Sequence, residues 1–148
     1  MKIKLFALFL IIFLSSCVTN GKYMTAKTVE THGTKIYNSS YENVWNAVKG
    51  TLATNGYDIA YEDPEKGIIN TKQKIINMYG ANGQVTAYYR QYLVSISVIS
   101  DNQIKVVLSP KLFEGNNDIT GRKVWVMSGP NGEITLWNKF FKDVSNLL

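Results

Sequence analysis

Apolar positions along this chain change period twice, leaving two helical segments on either side of a long run of strands. Tyr41, Val44, Trp45, Val48 and Leu52 recur at three- and four-residue spacing, the stripe of an amphipathic helix. Ser39, with Glu42 three residues on, has the form of a capping box, and Gly56 supplies the left-handed residue that ends such a segment. From Tyr57 the period is two: Tyr57, Ile59 and Tyr61 alternate with Asp58, Ala60 and Glu62, as a half-buried strand requires. Asp63-Pro64-Glu65-Lys66-Gly67 is then a turn, Ile68 to Ile76 the returning strand and Gly80 to Gly83 the next loop. Val85 to Ile99 is long for one strand and is expected to bulge near Arg90, with Tyr92, Val94, Ile96 and Val98 on one face. Beyond a tight turn at Asp101-Asn102, Ile104, Val106 and Leu108 continue the meander. Leu112 to Gly121 reads as a polar loop, and Lys123 to Met127 as a further strand. Helical period returns over Gly132 to Leu148, where Ile134, Trp137, Phe141, Val144 and Leu148 form a stripe that Leu136 and Phe140 widen. A short strand at Thr34 to Tyr37 precedes the first helix. The order predicts an α+β fold, an antiparallel sheet of about five strands with two helices packed on one face.

Ahead of this domain the pattern is different. Lys2 and Lys4 precede ten apolar residues, Leu5 to Leu14, which suit a secretory signal and are too few to span a bilayer. Leu14-Ser15-Ser16-Cys17 follows as a lipobox. Here the chain resembles bacterial lipoproteins, a likeness that covers the first seventeen residues. The resemblance implies cleavage before Cys17 and attachment of diacylglycerol and an N-acyl chain, such as palmitate, to that cysteine. Several acyl chains give stable anchoring where one gives only reversible binding. With Val rather than Asp at position 18, the resemblance implies the periplasmic face of the outer membrane in a Gram-negative cell. Val18 to Gly33 has no apolar period and reads as a flexible tether spanning roughly 20 to 24 Å as a coil. The expected organisation is a signal peptide at 1–16, lipidated Cys17 and tether at 17–33, and one globular domain at 34–148.

The whole chain carries a formal charge of +5, but without Lys2 and Lys4 the 14 basic side chains face 11 acidic ones, leaving +3. The lysines are scattered, so nucleic acid is not an expected partner. Cys17 is the only cysteine, so the domain must fold by packing without a disulfide. His32, the only histidine, falls in the tether. A Ser-His-acid or Cys-His site needs a positioned imidazole, and zinc needs three or four ligands, so neither is expected. No cofactor is expected beyond the lipid on Cys17, and no metal. Asp58, Glu62, Asp63 and Glu65 cluster but read better as turn and strand-edge residues than as a catalytic or calcium site.

Tyr88, Arg90 and Tyr92 share a strand face, with Tyr89 opposite and Tyr79 in the loop before them. One reading is a solvent-facing platform for sugar rings or peptide, which Arg122 and Lys123 would join for an anionic partner; the other is that tyrosines simply suit strands. Trp45, Trp125 and Trp137 are core candidates, although Trp125 faces away from Val124 and Val126. Tyr41 with Val44-Trp45, Gly56-Tyr57, the Asp63–Gly67 turn and Ile68-Ile69-Asn70-Thr71 resemble the helix-grip or TBP-like domains of envelope lipoproteins. Among these is the third lipoprotein of the outer-membrane β-barrel assembly machine, whose members are longer and carry two such domains. The resemblance implies a fold and carries over no activity. The expected function is a membrane-anchored, non-enzymatic domain that binds a protein or another envelope component, with an accessory or assembly role. A small-ligand or glycan binder is the alternative, marked by an apolar cavity with converging polar groups.

Overall fold

Two long strands, β5 (Gln84–Ser100) and β6 (Gln103–Glu114), form the spine of the domain. The computed structural model of the chain describes residues 21–81 and 83–148. The expected signal segment and lipobox, with residues 18–20, lie outside them. β5 and β6 run antiparallel from Tyr88 opposite Glu114 to Ser100 opposite Gln103, around the turn at Asp101-Asn102. β1 (Thr34–Asn38) pairs with the outer edge of β6. On the other side of β5 lie β3 (Ile68–Thr71), itself paired with β2 (Ile59–Asp63), and β4 (Lys74–Ala81). The order is β1-β6-β5-β3-β2; β4 borders the first half of β5, and the two-residue β7 (Asn117–Asp118) borders the end of β6.

Helices α2 (Tyr41–Thr54) and α3 (Glu133–Ser145) lay their apolar stripes on one face of this sheet. Val44, Trp45, Val48 and Leu52 meet Trp137, Phe140, Phe141 and Val144 over Ile69, Val94, Ile96, Ile104, Val106 and Leu108, a single buried cluster. Burial of residues of this size stabilises by about 1.5 to 3 kcal/mol per side chain. α2 starts one residue later than the capping box suggests: Ser40, not Ser39, caps it by accepting the Asn43 N–H. Asn55 and then Gly56, at φ +72°, end it.

The α+β architecture is as expected, with seven strands and three helices among the described residues in place of about five and two. One additional strand arises because the predicted strand Ile68–Ile76 breaks after Thr71, where the Lys72 N–H turns to the Asp58 carbonyl at 2.7 Å. A seventeen-residue β5 thereby takes two short partners along one side. Arg90 sits in regular register, opposite Lys74 and Leu112. The irregularities lie instead between Val98 and Ser100 and, on β4, between Ile75 and Asn77. The expected polar loop from Leu112 is shortened, since β6 continues to Glu114 and turns through Gly115 into β7, with Ile119 buried.

Lys123 to Met127 is not a strand of the sheet. It alternates because Trp125 and Met127 turn into a second small cluster with Leu112 and Ile119, leaving Val124 and Val126 outside. Its backbone exchanges hydrogen bonds of 2.8 and 3.0 Å between Trp125 and Lys22, and accepts the Glu133 and Ile134 N–H groups at Val126 and Met127. The expected tether is therefore structured from residue 21 onward. α1 (Ala26–His32) is capped by Thr25, whose hydroxyl accepts the Thr28 N–H, and the Gly33 carbonyl accepts the Leu108 N–H. α1 has no fully buried residue, so no apolar stripe marks it in the sequence. His32 is exposed in its last turn.

Candidate functional site

α2 and α3 cover the second half of β5 and leave the first half, with β4 beside it, open on the helix side. The gap is a cleft of about 1120 Å³, large enough for a small ligand. Alternation along β5 sends Tyr88, Arg90 and Tyr92 into its floor. Leu136, Lys139 and Phe140 of α3 form one wall, and Lys74 to Asn77 with Tyr79 of β4 another. Lys123 to Val126, with Gly21, form the third, and Asn55 and Tyr57 close one end.

The floor is built around a buried ion pair. Arg90 Nη2 stands 2.8 Å from Glu133 Oε2, with the side chains 12% and 0% exposed. The contact is off the line of a hydrogen bond, and Arg90 Nε also lacks a hydrogen-bond partner among the described residues. Tyr92 donates its hydroxyl to Glu133 Oε1 at 3.1 Å. Burial raises the Glu133 carboxyl above its ordinary value, opposed by Arg90 and then by Tyr92. Burial, and then the Glu133 charge, push Tyr92 well above its ordinary 10.0, so it stays a neutral donor. Tyr57 packs edge-on to Tyr92 with ring centroids 4.9 Å apart. Lys74 Nζ lies 4.8 Å over the Tyr57 ring and donates to the Asn55 carbonyl at the end of α2.

The cleft is one-signed. Lys74, Arg90, Lys123 and Lys139 line it, and no Asp or Glu does among the described residues. Arg90 is matched by Glu133, and Lys139 by Asp143 at 2.6 Å. No carboxylate lies within ion-pair distance of Lys74 or Lys123 among the described residues. A concave surface with two such cations and aromatic or aliphatic walls attracts an anion that carries an apolar part.

Of the residues singled out from sequence, Tyr88, Arg90 and Tyr92 come together as expected, but as a floor and not as a solvent-facing platform. Tyr92 is only 4% exposed, because α3 passes over it. Arg122 stands outside the cleft. It approaches Glu114 at 3.6 Å, and Tyr88 donates to the same carboxylate at 2.6 Å, so the two meet only through that acid. Lys123, and not Arg122, joins Arg90 in the lining. Tyr89 lies on the other face, and Tyr79 stacks edge-on to Tyr88 at 5.7 Å. The acidic cluster disperses into local pairs, Glu62 with Lys49 and Asp63 with Lys66. Among the described residues, no three His, Cys, Asp or Glu side chains converge as a metal site would require.

Sequence reasoning missed Glu133, Lys74 and the α3 wall. The signal for Glu133 was present, since it lies four residues before Trp137 on the apolar stripe of α3, where a carboxylate is out of place unless paired. Lys74 carried no such sign.

No protein-family model matches the chain, and no curated protein does. Among solved structures it is similar to a DUF4468 family protein from Bacteroides ovatus, with a TM-score of 0.44 and 10% identity over 77% of this chain and 83% of that one. It is also similar to a TBP-like protein from Parabacteroides distasonis, with a TM-score of 0.34 and 14% identity over 77% of this chain and 85% of that one.

Proposed function

We propose that the protein is a lipid-anchored, non-catalytic binding protein of the bacterial cell envelope, whose cleft takes an anionic ligand with an apolar portion. The observation that carries this reading is the lining: Lys74 and Lys123 without carboxylate partners, over a floor of Tyr88, Arg90 and Tyr92, and no acid among the described lining residues. The lipobox at Leu14 to Cys17 supports the address. Arg90 is held by Glu133 and Tyr92 donates to the same carboxylate, so neither is free to act as an acid or base, which favours binding over chemistry. A cavity with converging polar groups also favours a small amphiphile over a protein partner that would dock on a flat patch.

Dodecyl phosphate serves as a probe for this chemistry. Calorimetric titration should show saturable binding of one molecule per chain, and none of neutral dodecyl maltoside. Lys74→Ala and Lys123→Ala should each weaken binding about tenfold, the scale of one charge-assisted contact of about 1.5 kcal/mol. Equal binding of the two amphiphiles, or variants that bind as tightly as the parent, would refute the anionic site.

A further inference from the structure

The hairpin formed by β4 and the start of β5 projects past the helices with apolar residues on both of its faces. Ile76 and Tyr79 face the cleft side, while Met78 and Val85, 61% and 72% exposed, face the other. From Ile75 to Tyr89 the sequence has no charged residue, and Lys72, Lys74 and Arg90 bracket it. A two-stranded ribbon with nothing among the described residues covering either face is an unusual use of Met, Ile, Val and Tyr in water. Apolar and tyrosine side chains at a tip, with lysines behind them, instead match the layered chemistry of a bilayer surface, acyl chains beneath phosphate headgroups.

The path of the chain points the same way. Gly21 lines the same cleft as this hairpin, held by the pairing of Lys22 with Trp125. Only residues 18–20 separate it from Cys17. Four residue steps reach at most about 14 Å, well short of the tether that a sixteen-residue coil would have given. Any lipid on Cys17 therefore keeps this end of the domain against the membrane. We infer that the tip of the β4–β5 hairpin docks into the headgroup region of an anionic bilayer, with Lys22 and Lys123 facing its phosphates, so that the cleft opens onto the membrane surface. This rests on the lipoprotein reading for its geometry and deepens the proposed function, since a ligand entering such a cleft comes from the membrane.

The test uses the mature chain from Cys17 to Leu148 carrying Cys17→Ser. It retains every described residue of the core, and binding then owes nothing to acylation. Cosedimentation with vesicles of phosphatidylcholine containing phosphatidylglycerol should show binding, weaker by at least several-fold on phosphatidylcholine alone. Met78→Ser with Val85→Ser should reduce it at least about tenfold, through lost apolar insertion. Neither residue lines the cleft, so dodecyl phosphate affinity should be unchanged, which separates hairpin docking from ligand binding. Val98→Ser, at an equally exposed apolar position near the far end of β5, should leave vesicle binding intact. Circular dichroism of the variants confirms their fold. Absence of vesicle binding, insensitivity to the hairpin substitutions, or a dimer of the parent that these substitutions dissociate would overturn the inference, the last by assigning the hairpin to a second copy. Palmitate labelling of the full chain, with and without Cys17→Ser, separately tests lipidation, so failure there is distinguishable from failure of the hairpin to dock.

Discussion

Arg90→Ala should destabilise the domain by about 3 to 5 kcal/mol at neutral pH, the range for breaking a buried ion pair from one side. The cost arises from what stays behind. Glu133 is fully buried at the start of α3, with the Tyr92 hydroxyl as its remaining partner. Without the guanidinium, the carboxylate either stays ionised in an apolar site or takes up a proton. The sign with pH follows from linkage. Burial already raises the Glu133 carboxyl above 4.5, and loss of Arg90, the chief opposing influence, raises it further. Between the unfolded and folded values the native state then binds more protons, so the stability of the variant rises as pH falls through that window. The deficit relative to the parent should be largest near pH 7 and shrink toward pH 4.5. Denaturant unfolding at several pH values reads this directly. Arg90→Met with Glu133→Leu, which removes both charges, should be close to neutral. A deficit in Arg90→Ala that is small and constant with pH would show that the pair does not hold the floor together.

Gly67→Ala should cost about 3 kcal/mol, by adding a left-handed penalty of about 1 to 2 kcal/mol to the cost of moving packed backbone. Gly67 ends the Asp63–Gly67 turn at φ +66°, where an added Cβ would be driven into the Ile96 carbonyl oxygen and against the Tyr41 hydroxyl. The strand cannot yield easily, because the Gly67 carbonyl accepts the Ile96 N–H at 2.7 Å and Tyr41 is itself hydrogen-bonded to Pro64 at 2.6 Å. Gly115→Ala is the control. Its φ is also positive, at +57°, but nothing lies within 4 Å of the added carbon, so about 1 to 2 kcal/mol is expected. Thermal melts should separate the two variants by several degrees; equal melts would mean that the β3–β5 pairing tolerates displacement.

Much of the fold was visible wherever local period and burial coincide. α2 and α3 show their stripes because each buries one side against the sheet. Ile104, Val106 and Leu108 alternate because β6 buries one face under the helices and leaves the residues between them only partly buried. The Asp63–Gly67 turn was legible because its chemistry is local: Asp63 accepts the Lys66 N–H and pairs with the Lys66 ammonium. What sequence concealed was set by distant partners. Lys123 to Met127 has a strand's alternation without a strand's ladder, because it is held by Lys22 on one side and by the Glu133 and Ile134 N–H groups, which donate to the Val126 and Met127 carbonyls. α1 is held by a cap, by backbone contacts and by Val29 alone packing on the core, which leave no apolar stripe. At the site, the shared face of Tyr88, Arg90 and Tyr92 follows from strand period, but period alone does not say whether that face is covered. α3 decides it, through Glu133 more than forty residues away. Lys74, Arg90, Lys123 and Lys139 lie on four separate segments, so their convergence is a property of the topology.

The cleft's role as an anion site is tested most directly by mapping where dodecyl phosphate binds. In nuclear magnetic resonance spectra of the isotope-labelled chain from residue 17 to 148 carrying Cys17→Ser, titration should shift the signals of Lys74, Tyr88, Arg90, Lys123 and Lys139 along one saturating curve. The shallow surface around Val85, Ala87 and Tyr89 on the opposite face should not respond. Shifts centred on that face, or spread over the surface without saturation, would contradict the account.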